Sequence, residues 1–310
     1  MAVEKKGDSV ADSASEKITE GKKLSFMADF VKRLVKEKPL GTAGAVITLL
    51  LLIVGIFADV LAPYGMNDTW VGGSLSPPSA DFWFGTDNVG RDILSRVIIG
   101  ARISVIVGLV ATSISIVVSV TIGIVSGYFG GKIDLIIQRF VDTIMCIPGL
   151  ILLMVMIAVV GAGMWQVILV IGFSYGIGGS RIIRGTVISA KQNVYVSAAA
   201  ATGCSTLRIL ARHILPNIMA PIIVLFSIRV PAVVMVEASL SFLGFGIPPP
   251  TPSWGGMLSG SGREYMFLAP WMVIWPGLAL AIVVFGVNMF GDAVRDLLDP
   301  RLRGGIGRFG

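Results

Sequence analysis

VITLLLLIVGIF, residues Val46 to Phe57, holds no charged residue and does not alternate apolar with polar side chains. A membrane β-barrel strand would alternate over about ten residues, so a run like this reads as helix. LILLMVMIAVV, Leu150 to Val160, has the same character. The chain as a whole is 54% hydrophobic and only 14% charged, whereas soluble domains carry roughly 25% charged residues. A bilayer core about 30 Å thick takes roughly 20 residues of helix to cross. Six windows of that kind are expected, near Gly41–Leu61, Ser104–Val125, Thr143–Val160, Met164–Gly179, Ile218–Leu240 and Phe267–Asn288. The expected fold class is all-α and polytopic, with six transmembrane helices.

The segments between these windows set the expected organisation. Residues 1–39 open with MAVEKKGDSVADSASEKITEGKK, polar and without an apolar period, and read as a largely disordered tail. The apolar run that follows starts too late and is too long for a secretory signal, so it stays attached as a first span over residues 40–61. An outward loop over 62–102 leads to a core of spans two to six over 103–291, and a second tail covers 292–310. Nine Lys and Arg precede Leu40, two lie between spans two and three, five between spans four and five, and four in the second tail. The other side holds only Arg91, Arg96, Arg102 and Arg263, and Arg229 falls inside a span. By the positive-inside rule both termini should be cytoplasmic. The net charge of +6 is then a topology signal and calls for no nucleic acid.

The longest cytoplasmic connection contains YVSAAAATGCSTLRILARHILPN, Tyr195 to Asn217. Alanines favour a first helix to Thr202, Gly203 breaks it, and Ser205 can cap a second. In that second helix Leu207, Leu210, Ala211 and Ile214 form one apolar face, until Pro216 ends or kinks it. By itself such a stretch is a surface elbow or a docking site for another protein.

Its spacing, Ser197-Ala198-Ala199, then Gly203, then His213-Ile214-Leu215-Pro216, resembles the EAA loop of ABC-importer permeases. GTDNVGRDILSRVIIGARIS (85–104), GYFGGKIDLIIQRFVD (127–142), LSFLGFGIPPPTPSWGGML (240–258) and GDAVRDLLDPRL (291–302) add to the likeness. Together they resemble the C-type permease subunit of the dipeptide, oligopeptide and nickel importers, from about Leu40 to Gly304. The resemblance implies a type I importer fold in a prokaryotic inner membrane, a second B-type permease, two cytoplasmic ATPases and an extracytoplasmic substrate-binding protein. It makes loop 191–217 the coupling loop, with Tyr195, Ser197, Ala198, Ala199, Gly203, His213, Leu215 and Pro216 at the ATPase interface and Ala199 on the contacting face. The family's glutamate is replaced by Ser197, which removes any ion pair that glutamate would make.

The chain itself has no phosphate-binding loop, since Gly131-Lys132 is followed by Ile133 where a Ser or Thr would be needed. ATP and magnesium are therefore expected on the partner ATPases, and no cofactor on this chain. His213 and the two cysteines, Cys146 and Cys204, do not cluster, so neither a metal site nor a disulfide is expected. With no nucleophile and base, the chain does not read as an enzyme.

Arg229 and Glu237 lie within the fifth span, where charge facing lipid is costly. They either line the translocation path or pair between helices; Pro221 and Pro231 suggest a kink there. In the outward loop, Gly85-Thr86-Asp87 and Gly90-Arg91-Asp92 read as a capped helix start, with Asp87 capping and Arg91 pairing with a carboxylate, or as a receiving surface for the binding protein. Pro248 to Pro250 predict extended backbone, with Trp254 as an interfacial anchor. The expected activity is inward movement of short peptides, with nickel chelates or other small solutes as alternatives. The rival of another class is an ion-coupled secondary transporter, for which Glu237 is the one carboxylate well inside a span.

Overall fold

The computed structural model describes residues 28–298. Most of the tail expected to be disordered, and the last residues 299–310, lie outside the described residues. Residues 28–37 are already helical, so order begins earlier than the expected boundary at 39. Regular structure among the described residues is helical apart from one isolated bridge between Thr86 and Asp92.

Ten of the helices among the described residues position the parts discussed below. They are α1 (Pro39–Ile56), α2 (Ile93–Phe129), α3 (Gly131–Met145), α4 (Gly149–Val160), α5 (Met164–Lys191), α6 (Val194–Ala201), α7 (Thr206–Ile209), α8 (Met219–Phe242), α9 (Trp254–Leu258) and α10 (Trp271–Leu298). Among the described residues, five helical segments are long and apolar enough to cross a membrane: α1, α2, α5, the stretch Thr206–Phe242 and α10. The 37 residues of α2 reach about 55 Å at 1.5 Å per residue, well beyond a 30 Å hydrocarbon layer.

The third crossing is not the straight helix expected over Thr143–Val160. The chain bends by 91° between α3 and α4. Pro148 has no N–H to continue the ladder and disfavours helical geometry at Ile147 before it. The 12 residues of α4 cannot cross alone. A crossing is nevertheless required, because α2 and α5 run parallel. Gly172 faces Ile114, Gly176 faces Val118 and Gly123 faces Ile183, both sequences rising together. Two parallel neighbours need a return path between them, and α3 with α4 supplies it as a bent pair.

The α2–α5 contact is the most extensive in the molecule, and small residues make it possible. A Cβ on Gly176 would stand 2.5 Å from the Val118 Cβ, one on Gly172 2.7 Å from an Ile114 methyl, and one on Gly123 2.7 Å from the Ile183 Cβ. Gly172 and Gly176, and Gly123 and Gly127, are four apart, the spacing that lets helix backbones approach within a membrane. Ser119 adds a hydrogen bond to the Gly176 carbonyl at 2.8 Å. The helix α8 runs antiparallel to α2, with Gly108 facing Val234, and α10 antiparallel to α1, with Gly44 facing Phe290.

These pairings sort the connections into two ends. The long loop before α2, the Gly161–Gly163 turn and the 243–270 connection lie at one end. The opposite end carries α6, the start of α1 and the close of α10, where Lys38 pairs with Asp296.

Candidate functional site

The elbow between α5 and α8 is built by two local devices. Gly203 stands at φ +80°, where a side chain is costly. It donates to the Ala200 carbonyl at 3.0 Å, and Cys204 donates to the Ala199 carbonyl at 3.1 Å. That pair of bonds is the Schellman closure, which satisfies the orphan carbonyls of α6. The expected glycine break is therefore found, one residue beyond the cap at Thr202.

After α7 the chain forms a π turn over Leu210–Ile214 and a 3-10 turn over Leu215–Ile218, then continues into α8. Pro216 neither ends nor breaks the run. It removes one backbone donor, and the Asn217 side chain donates to the His213 carbonyl at 2.6 Å. The extra residue of the π turn moves the packed face. Ile209, Ile214 and Ile218 are buried, spaced five and four apart, while Leu207 of the expected face is 77% exposed and Ala211 is also exposed.

Val196, Ala199, Ile209 and Ile214 pack on Ile183, Val187 and Ala190 of α5, with Ile124 and Tyr128 of α2 alongside. Ala199 thus faces the chain's own core and not a contacting surface. Helical periodicity puts Ser197, Ala198 and Ala201 outward instead, next to Val194 at 83% exposure. Tyr195 and His213 share one edge, ring centroids 6.4 Å apart. Ser205 precedes α7 without a side-chain cap bond.

The same end carries a clasp that motif reading passed over. Asp134 of α3 accepts from Arg184 Nε of α5 at 2.6 Å and from the Ser126 hydroxyl of α2. About two helical turns further along α3, Asp142 accepts from Arg181. Alternating charge on an amphipathic segment was the available signal: Asp134, Gln138 and Asp142 fall on one face, while Ile133, Ile136 and Phe140 are exposed on another.

At the opposite end, the Gly85–Asp92 motif folds on itself. Gly85 and Gly90 both have positive φ. Asp92, not Asp87, caps α2: its carboxylate accepts from Ser95 N at 2.8 Å and Ser95 Oγ at 2.6 Å. Asp87 instead closes the turn, accepting from the backbone of Val89 at 2.9 Å and Arg91 at 3.0 Å, and from Arg91 Nε at 2.6 Å. Only Asp92 stands immediately before α2, where the free N–H groups are. Thr86 accepts from Ser76 N at 2.9 Å through its hydroxyl and from Trp271 Nε1 at 3.1 Å through its carbonyl, which ties the loop to α10. Arg96, unsuspected from its motif, is buried beside Asp87 and donates to the Met66 carbonyl at 2.8 Å. A charge in the first turn of an apolar window was the sign of it.

Two expectations at this end change. Trp254 is no interfacial anchor. It is 2% exposed and donates to the Val97 carbonyl at 3.0 Å, because Gly100 leaves room for its indole. The proline run ends in a turn at Pro249–Pro250, whose peptide is cis, in place of continued extension. Just outside α1, the Arg102 guanidinium holds the Asp59 carboxyl below the usual carboxylate range, chiefly through their hydrogen bond.

Arg229 and Glu237 both find partners within the chain. Arg229 donates to the Tyr175 carbonyl at 2.6 Å and the Ser115 hydroxyl at 3.1 Å. It also sits over the Tyr175 ring. Glu237 is 1% exposed and accepts from Ser241 Oγ at 2.7 Å. Pro231 lies inside α8, and no group of three or more metal-ligating side chains occurs among the described residues.

A bundle of six crossings closed by a Gly-Ser seam, with an ordered elbow between its fourth and fifth crossings, is the architecture of a multi-pass membrane permease. The chain belongs to the family described as binding-protein-dependent transport system inner membrane component, which it matches over residues 119–304. Residues 25–78 match the N-terminal TM domain of oligopeptide transport permease C. The oligopeptide transport system permease protein OppC of Bacillus subtilis is 37% identical over 289 residues, covering 93% of this chain and 94% of that one. A dipeptide transport system permease protein of Alkalihalophilus pseudofirmus is 38% identical, covering 87% and 88% of the two chains. A glutathione transport system permease protein of Pectobacterium atrosepticum is 36% identical, covering 89% and 91%. In fold, the chain is similar to one in a structure of the MetNI methionine ABC transporter in inward-facing conformations. The TM-score is 0.54 at 16% identity, over 66% of this chain and 96% of that one.

Proposed function

We propose that this chain is one of two permease subunits in an ATP-driven importer of short peptides. It lies in a prokaryotic inner membrane with both termini and the elbow in the cytoplasm. The elbow seats in a groove on one of two ATPases, which bind ATP and magnesium, while an extracytoplasmic binding protein delivers substrate to the opposite end. The names of the relatives support the peptide class, and the crowding of Lys and Arg around the elbow end supports the orientation.

The observation that carries the reading is the elbow's two-sided build. Its inner face is locked by Val196, Ala199, Ile209 and Ile214, yet Val194 and Leu207 stand 83% and 77% exposed. Apolar side chains presented on a rigid, internally anchored turn suit a partner surface. With Ser197 in place of glutamate, docking rests on these contacts and on the exposed Arg208 and Arg212. Arg229 ties α8 to α2 and α5 through Ser115 and the Tyr175 carbonyl, Glu237 bonds within α8 to Ser241, and neither is assigned to substrate.

ATP hydrolysis moves the elbow, α5 follows through the shared core, and the seam carries α2 with it as the path alternates between its two openings. The test is uptake of trialanine by proteoliposomes containing the assembled importer, with glutathione and a nickel chelate as comparison solutes. ATP-dependent trialanine uptake is expected. Uptake by this chain without the ATPases, or indifference to ATP, would overturn the reading in favour of an ion-coupled transporter.

A further inference from the structure

A cavity of about 280 Å³ opens at the end opposite the elbow. All three connections at that end contribute to its wall, through Asp87 and Arg91, Ala162, and the stretch from Gly244 to Ser261. It is the place where the outward segments converge, and α2 adds Arg96 to the lining.

The charges of the wall do not balance. Asp87, Arg91 and Arg96 are its ionisable residues. One carboxylate serves two guanidiniums: Asp87 Oδ2 lies 2.6 Å from Arg91 Nε and 4.0 Å from Arg96 Nε. The side chains of Arg91 and Arg96 are 18% and 9% exposed, so water screens neither fully. Arg96 spends one terminal nitrogen on the carbonyls of Met66 and Pro250. The terminal nitrogens of Arg91 have no acceptor among the described residues. Glu237 lies behind Ser241, which lines the cavity, and forms no ion pair with either arginine. A partly desolvated cation short of a counter-ion favours an incoming anion, and a guanidinium fork matches a carboxylate in shape.

The geometry points to a carboxylate-binding site in this cavity, formed by Arg91 with Arg96 behind it, that receives a carboxylate on the extracytoplasmic side. Two sources supply that group there: the C-terminus of the transported peptide, or an acidic side chain of the docking binding protein. The inference rests on the peptide-importer reading for its orientation and for these two sources. Ser259, on the same wall with no side-chain hydrogen bond among the described residues, offers a way to fill the site from within.

The experiment uses the assembled importer in lipid nanodiscs. Binding of N-acetyl-trialanine and of its C-terminal amide is measured without binding protein, and the affinity of the binding protein is then titrated. Variants are Arg91→Gln and Arg91→Lys, with Ser259→Asp, which adds an internal carboxylate, and Ser259→Asn as its neutral control. If the peptide is the source, the free acid binds at least about tenfold more tightly than the amide, and Arg91→Gln and Ser259→Asp each remove that difference. If the binding protein is the source, both variants weaken its docking about tenfold whatever peptide it carries. Ser259→Asn keeps most of the effect in either case, and Arg91→Lys, which retains the charge but not the fork, keeps only part of it. Unchanged acid preference and unchanged docking in both Arg91→Gln and Ser259→Asp overturn the inference, as does equal loss in Ser259→Asn. Wild-type importer that fails to take up trialanine with ATP fails the functional reading separately, because neither binding measurement requires transport.

Discussion

At Gly203 the residue scale decides the elbow. The position has φ +80° and no atom within 4 Å of where a Cβ would stand, so a substitution there meets backbone strain and no clash. Gly203→Val should cost roughly 1–3 kcal/mol and re-aim α6. Thermal unfolding of the purified permease and the quantity of co-purifying ATPase should both fall, and wild-type values of both would refute a coupling role for the turn. Neighbouring alanines separate folding from docking. Ala199 is buried, so Ala199→Trp should overpack the elbow and destabilise the permease by roughly 1–3 kcal/mol. Ala198 is exposed, so Ala198→Trp should leave unfolding unchanged while reducing ATPase recovery. The reverse pattern would mean that α6 is rotated about its axis. The glycine was legible from composition, because few residues tolerate that backbone. Which alanine faces inward was not, because four in a row carry no amphipathic signal.

Among elements, the bent pair α3–α4 depends on what holds α3 to α5. Asp134 and Arg184 join the two helices in a partly screened pair, their side chains 18% and 32% exposed. Arg184→Asp sets two carboxylates together and should lower stability by roughly 1–3 kcal/mol. Adding Asp134→Arg should recover most of the loss, since the geometry is nearly reciprocal. The melting midpoint of the solubilised protein reads both steps, and a double variant no better than the single one would deny that the clasp matters. The expected straight form of the third span failed at this scale. Hydropathy sums over residues 143–160 and ignores direction, whereas Pro148 turns the backbone within the window. The π turn before α8 escaped in the same way, because one extra residue shifts a face without changing composition.

For the whole molecule, α6 lies at the same end as residue 38 and residue 296, which pair directly. One test therefore orients all three. Cys204 is partly exposed and Cys146 exposed, and both are free. In a Cys146→Ser background, a membrane-impermeant maleimide should label Cys204 in inside-out vesicles and spare it in intact cells; labelling of intact cells would invert the proposed topology. Here the sequence by itself determined the class of architecture. Long uncharged runs must be helices in lipid, where every backbone group has to bond within its own segment, and their number and flanking charges follow from one dimension. It also marked the elbow and the outward motif, since glycine, proline and capping residues act over a few positions. Only the tertiary structure decided that α2 and α5 run parallel along a Gly-Ser seam, so that the bent pair must be a crossing. It alone put Trp254 inside and gave Arg229 its partners on α2 and α5. The reason is physical: in a membrane, lipid is as apolar as leucine, so helices choose neighbours by close fit and by pairing polar groups far apart in the chain, neither of which is written in local hydropathy.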